Sequence, residues 1–206
     1  MNTKSALRRL ELSLLLAVVF CAAVSFLSFG GQCDEIRRSV LRLHVLANSD
    51  ADEDQALKLR VRDRLLEETG GLFASSGSLA EAQALAEKNI AELTEIARSE
   101  IRAAGYDYGV EARLEDCYFP TRVYGDVTLP AGNYRALRVV IGEGAGRNWW
   151  CVLFPPLCVS PASGRESLSM DDLLTPGQLS IVEDGGYEVR FKAVEIFEAA
   201  KQRIRG

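Results

Sequence analysis

Histidine is almost missing from this chain: His44 is its only representative in 206 residues. That scarcity excludes a good deal of chemistry. A zinc site draws several ligands from His and Cys at close spacing, and neither CxxC nor HxxxH occurs. No metal and no cofactor are expected. A nucleophilic enzyme would have to pair His44 with Cys117, Cys151, Cys158 or a serine. No neighbouring motif supplies further catalytic partners, so His44 is read as a polar residue on the wet face of a strand. No catalytic residue is assigned, and the chain is expected not to be an enzyme.

Basic excess is lacking too, with 24 Lys and Arg against 29 Asp and Glu. Leaving out Lys4, Arg8, Arg9 and Glu11 makes the remainder more acidic still, at about −7. A nucleic-acid binder would carry a basic face, so no nucleic acid is expected as a partner. Electrostatic docking to anionic lipid is disfavoured on the same ground. Internal repeats and low-complexity tracts are also absent. The glycines Gly142-x-Gly144-x-Gly146 lack the phosphate-loop spacing, because Arg147 stands where GxGxxG needs its last Gly. They read as a flexible hairpin connection. Acidic pairs such as Asp171-Asp172 and Asp52–Asp54 lie near apparent helix starts, where they meet the helix dipole.

What is present begins with an export device. Lys4, Arg8 and Arg9 precede a run from Leu12 to Phe29 in which Ser13, Ser25 and Ser28 are the only polar residues. A signal peptide has a positive start, an apolar middle and small residues before the cut. Ser28 and Gly30 could serve there, with cleavage before Gly31. The run of 18 residues is also long enough to span a bilayer. Residues 1–30 are thus a signal peptide or an uncleaved membrane anchor. Either way the body is delivered outside. Residues 31–40 read as a short polar stalk, and residues 41–206 as a single extracytoplasmic domain with room for a core.

Within the body, Leu41, Leu43 and Val45 alternate with Arg42 and His44, which predicts a half-buried strand. Asn48-Ser49-Asp50 breaks it. Asp50 and Glu53 resemble a capping box for a helix to about Glu68, ended by Gly70-Gly71 and supported by an Asp54–Lys58 pair. Ser78 and Glu81 cap a second helix of six turns, from Ala82 to Ile101, closed by Gly105. From Tyr106 the period becomes two. Strands are expected around Tyr106–Leu114, Phe119–Val123, Tyr134–Ile141 (apolar on both faces, hence central) and Trp149–Phe154. After a loop-rich stretch with a short apolar piece at Leu168–Leu174, Tyr187, Val189 and Phe191 alternate briefly. Val194, Phe197, Ala200 and Ile204 then mark an amphipathic C-terminal helix. The expected fold is α+β. A mostly antiparallel sheet packs with two long N-terminal helices and a C-terminal helix, behind the signal or anchor helix.

Cys151 and Cys158 flank the bend-prone Phe154-Pro155-Pro156 and form the best local disulfide pair; the alternative is that both are small buried hydrophobes in reduced form. Trp149 and Trp150 fall on opposite faces of their strand. One reading buries a Trp in the core, and the other offers an aromatic edge to a partner. The candidate partner-binding residues are the turn Asn48, Ser49 and Asp50, the strand residues Arg122 and Tyr124, and the pair Trp149 and Trp150.

Longer strings carry a resemblance. Leu41-Arg-Leu-His-Val-Leu-Ala-Asn-Ser-Asp50, Glu53-Asp-Gln-Ala-Leu-Lys58, Phe119-Pro-Thr-Arg-Val-Tyr-Gly125 and Leu129-Pro-Ala-Gly132 are similar to the stage II sporulation protein R family. So are Tyr134-Arg-Ala-Leu-Arg138, Asn148-Trp-Trp-Cys-Val-Leu-Phe-Pro-Pro-Leu-Cys158 and Tyr187-Glu-Val-Arg-Phe-Lys192. The resemblance runs over about residues 36 to 204. It implies an exported intercellular signalling protein of endospore formation, made in the forespore. Such a protein enters the space between the two septal membranes, secreted or membrane-anchored. There it activates a membrane-embedded aspartic protease of the mother cell, which processes the precursor of the early mother-cell sigma factor. The rival reading is an extracytoplasmic Cys/His hydrolase acting on peptide or cell-wall material.

Overall fold

The computed structural model describes residues 3–155, 174–183 and 188–205. Its centre is the strand that alternation made half-wet. This strand, β1 (Leu41–Leu46), is buried at all of its positions. β2 (Val110–Phe119), β5 (Gly132–Ile141) and β6 (Asn148–Phe154) complete a four-stranded sheet in the order β2-β5-β1-β6. β1 runs parallel to β5 and antiparallel to β6, and β2 pairs antiparallel with β5. A separate hairpin joins β3 (Arg122–Tyr124) to β4 (Val127–Leu129). The fold is α+β, and its sheet is mixed because of the β1–β5 pairing.

Both faces of the sheet are covered, which corrects the wet-face reading of Arg42 and His44. On one face Leu41, Leu43 and Val45 join Leu137, Val139, Ile141 and Leu153. The helices packed there are α2 (Asp52–Ala74), α3 (Leu79–Lys88) and α4 (Ile90–Ala103), through residues such as Leu57, Val61, Leu93 and Ile101. On the other face Tyr134, Ala136 and Val152 meet Phe29, Cys33 and Ile36 of α1 (Thr3–Arg38). Ile181 and Val182 of α5 (Pro176–Glu183) and Phe191 and Val194 of α6 (Glu188–Arg205) close that core. Each fully buried aliphatic or aromatic side chain contributes about 1.5–3 kcal/mol. The alternating polar residues of β1 therefore lie under a second layer of structure rather than in water.

The helices depart from expectation in instructive ways. α2 has Ala51 at its N-cap with no side-chain bond, because Asp50 accepts the Arg147 backbone N–H instead, at 2.7 Å. It also runs through Gly70-Gly71: burying Phe73, which is 1% exposed, outweighs the weak helix propensity of glycine. Ser78 does cap α3, its Oγ accepting from Glu81 N at 3.2 Å while Glu81 Oε2 accepts from Gly77 N at 2.8 Å. The six-turn helix is interrupted at Asn89, whose Nδ2 donates to Leu85 O at 2.8 Å and competes with the helical ladder. There are thus three helices between β1 and β2 among the described residues. The Asp54–Lys58 pair does not form. Lys58 Nζ donates to Gln55 Oε1 and Arg147 O.

Pro120 has no N–H to extend the ladder, so β2 stops at Phe119 and β3 starts separately. Residues from Glu188 are helical, so the brief alternation up to Phe191 is the start of α6 and not a strand. The Leu168–Leu174 piece lies outside the described residues except for Leu174. The apolar run and the segment read as a stalk are one helix of 36 residues. Cys33 and Ile36 are fully buried. Arg37 Nη1 donates to Ala131 O at 2.9 Å, and its guanidinium pairs with Asp34 and Glu198.

Candidate functional site

Two of the segments singled out in the sequence meet at the end of β1. The glycine-rich stretch does not make a hairpin, because β1 lies between β5 and β6. It arches over the end of β1 and wraps the Asn48-Ser49-Asp50 turn. Glu143 N donates to Asn48 Oδ1, Ala145 N to Asn48 O, Gly146 N to Ala47 O and Arg147 N to Asp50 Oδ1. The approach is so close that a Cβ on Gly142 would lie 2.1 Å from Asn48 Oδ1, and one on Gly146 would lie 2.0 Å from Ser49 O. Glycine is required at both places by contact.

The turn is also tied to α2. Asn48 Nδ2 and Ser49 Oγ both donate to Asp54 Oδ2, at 2.8 and 2.6 Å. These bonds hold the Asp54 carboxyl below its usual range. Asn48 and Ser49 thus spend their polar groups inside the fold. Asp50, 66% exposed at its side chain and 3.5 Å from Arg147 Nε, remains at the surface.

A second group lies on the α1 side of the sheet. There the structure brings together Arg122, Tyr124 and Trp150. The Arg122 guanidinium lies 4.2 Å from the centre of the Trp150 ring, and Tyr124 Oη donates to Trp150 O at 3.4 Å. Trp149 is on the opposite face, where Arg62 lies 4.3 Å from its ring centre. Each tryptophan is half-buried.

Beneath Trp150 are two polar residues that sequence reading put in water. Arg42 is fully buried. Its guanidinium lies 4.1 Å from the Phe119 ring centre, 4.7 Å from Tyr134 and 5.3 Å from Tyr124. It donates to Tyr124 Oη and to Cys151 O. Burial works against its charge, and the three ring faces offset part of that cost. Asn148 Oδ1 lies 2.7 Å from His44 Nε2, and the ring packs on Phe119 and Trp150. Burial pushes the His44 pKa down.

Nothing local in the sequence marks Arg42, Arg62, Asp54 or Asn148 for these places. Arg42 looked like any solvent-facing residue of an alternating strand, and its aromatic neighbours come from three distant segments.

Of the cysteines, Cys117 Sγ bonds Glu115 Oε1 at 3.8 Å. Cys151 is buried and disulfide-bonded. Cys158, its expected partner, lies outside the described residues. No cluster of three or more His, Cys, Asp or Glu able to hold a metal occurs among the described residues.

A Bacillus subtilis (strain 168) protein described as stage II sporulation protein R is 38% identical over 128 residues. The match covers 62% of this chain and 57% of that protein, so it spans little more than half of the relative's length. No solved structure matches. The family model for stage II sporulation protein R matches residues 37–163. These residues include β1, the loop that wraps its end and the Arg122–Trp150 group. The chain belongs to the stage II sporulation protein R family.

Proposed function

We propose that this chain is an exported intercellular signal of endospore formation that acts by protein–protein contact and not by catalysis. On this reading it is made in the forespore and enters the space between forespore and mother cell. There it activates a membrane-embedded aspartic protease of the mother cell, which then processes the precursor of the early mother-cell sigma factor. Family membership supports the sporulation role. The surface group Arg122, Tyr124 and Trp150, with Val123 67% exposed beside it, is the partner-binding face we favour. Arginine and tryptophan are the residue types that most often anchor interfaces.

The observation that carries the topology is the continuity of α1. Its apolar part passes without a break into the folded core, and Phe29 is 3% exposed against Phe191. A cut before Gly31 would sever α1 inside that core. We therefore favour a membrane-anchored signal over a released one. The hydrolase reading needs a thiol beside His44. Among the described groups it would use, His44 Nε2 is engaged with Asn148, Cys117 with Glu115 and Cys151 in a disulfide.

The test is complementation. The chain is expressed in sporulating cells that lack their native copy, and processing of the sigma-factor precursor is followed. Processing restored by the intact chain, and by its His44→Gln variant at normal protein level, is expected. Loss with His44→Gln despite normal folding and abundance would sink the non-catalytic reading.

A further inference from the structure

α6 carries an apolar row that the described fold leaves uncovered. Phe197 is 56% exposed and Ile204 85% exposed. Spaced by seven residues, they share a helix face with Arg190, seven residues earlier. That face is directed at the outer end of α1. The Phe197 ring meets Phe26 edge-on with centroids 6.3 Å apart, and the Arg190 guanidinium lies 5.8 Å from the Phe29 ring centre. At the same level a cavity of about 230 Å³ opens between α1, α5 and α6, lined by Ser25, Ser28, Gln32, Ser180 and Arg190.

These features coincide with one depth. An apolar helix of 18 residues rises about 27 Å, close to the roughly 30 Å of a bilayer's hydrocarbon core. Its last turn, Ser25 to Phe29, is where a spanning helix leaves the acyl chains. There the surroundings are apolar on one side and rich in phosphate on the other. Large apolar side chains left bare beside it point to lipid as what covers them. Ser180 Oγ donates to Gly177 O and Gln32 Nε2 to Ser28 Oγ. The hydroxyls of Ser25 and Ser28, the second Gln32 amide proton and the Arg190 guanidinium are donor types that suit phosphate oxygens.

We propose that α6 lies on the outer leaflet of the membrane that holds α1, with Phe197 and Ile204 among the acyl chains. In this arrangement the cavity at its start seats the phosphate of a phospholipid headgroup. The inference rests on α1 remaining in the membrane. The acidic body opposes long-range attraction to anionic lipid. The contact is therefore driven by buried apolar surface and one headgroup seat, as for interfacial helices. It would fix the orientation of the domain as well as its location.

The test uses the full chain in vesicles of phosphatidylcholine and phosphatidylglycerol with brominated acyl chains, which quench nearby tryptophan. Three reporters are compared with the parent: Phe197→Trp, Ile204→Trp and Leu16→Trp. Loss of roughly half of the added emission is expected at all three positions, since interfacial helices bury their apolar face at acyl depth. Quenching at position 16 without quenching at 197 and 204 overturns the proposal and leaves the anchor standing. No quenching at any of the three overturns both. For the seat, phospholipid carried by the detergent-purified chain is counted by mass spectrometry. Arg190→Ala should lower that count several-fold while the chain remains folded by circular dichroism, and Ser25→Ala with Ser28→Ala should lower it too. An unchanged count, or displacement by excess inorganic phosphate, overturns the headgroup assignment.

Discussion

His44 Nε2 and Asn148 Oδ1 lie 2.7 Å apart, joining the middle of β1 to the first residue of β6. With the amide oxygen facing the ring, Nε2 carries the proton and Nδ1 is left bare. Nδ1 is buried and has no hydrogen-bond partner among the described residues. Protonating it would place a charge in an apolar setting near Arg42 and Arg138. The folded-state pKa therefore lies below the ordinary value of about 6.5. The stability this neutral ring contributes is fully present above that value and is lost as pH falls from it through the depressed folded value. Melting temperature should fall as pH is lowered from 7.5 to 5 in excess of any carboxylate contribution, and His44→Gln should flatten that part of the curve. A curve parallel to the parent's would refute the assignment.

The loop around the end of β1 should tolerate no added carbon. Gly146→Ala puts a methyl 2.0 Å from a backbone oxygen that cannot swing away, and a large loss of stability is expected. Asn48→Ala removes the acceptor of Glu143 N and one donor to Asp54. It should cost about 2 kcal/mol, read as a lower denaturation midpoint with unchanged slope.

Position 123 separates fold from contact. Val123 is 67% exposed on the β3–β4 hairpin, so Val123→Asp should change stability by less than about 0.5 kcal/mol. If the hairpin face meets the protease, sigma-factor processing should drop in sporulating cells at normal protein level. The same substitution with full processing would move the contact elsewhere.

Thiol counting checks the cysteines. Cys21, Cys33 and Cys117 are free, while Cys151 is disulfide-bonded. Alkylation of the denatured, unreduced full-length chain should label three thiols, and five after reduction. Cys158→Ser should raise the unreduced count to four if Cys158 is the partner, and lower stability by roughly 2–4 kcal/mol.

Much of the fold could be read in advance where a pattern reports local burial. The buried stripe of α3 and α4, the Ser78 cap and strands β5 and β6 all follow from spacing and capping chemistry. What escaped the sequence depended on distant segments. Arg42 and His44 keep the pattern of a wet strand face, yet Phe119, Tyr124 and Trp150 close over them. Gly142 and Gly146 look like flexible punctuation, but the passage of the loop over Asn48 and Ser49 makes them obligatory, at Gly142 together with its φ of +57°. Trp150 was singled out by composition. Its companions Arg122 and Tyr124 were found in the sequence but linked to it only by the hairpin. Asn148, Arg62 and Arg42 carry no local signal of their role.

The parallel pairing of β1 with β5 has one more consequence. β1 sits in the middle of the sheet but comes first in the chain, and its partners begin at Gly132 and Asn148. A chain that crosses a membrane from its N-terminal end delivers the keystone strand long before the strands that hold it. Non-local pairings of this kind are slow to form, because a long loop must close first. On the proposed export route, the sheet could not close on the far side until residues up to Phe154 had passed. If the chain is exported as proposed, assembly is coupled to completed passage, and a stalled, half-delivered chain would display no finished surface on the far side.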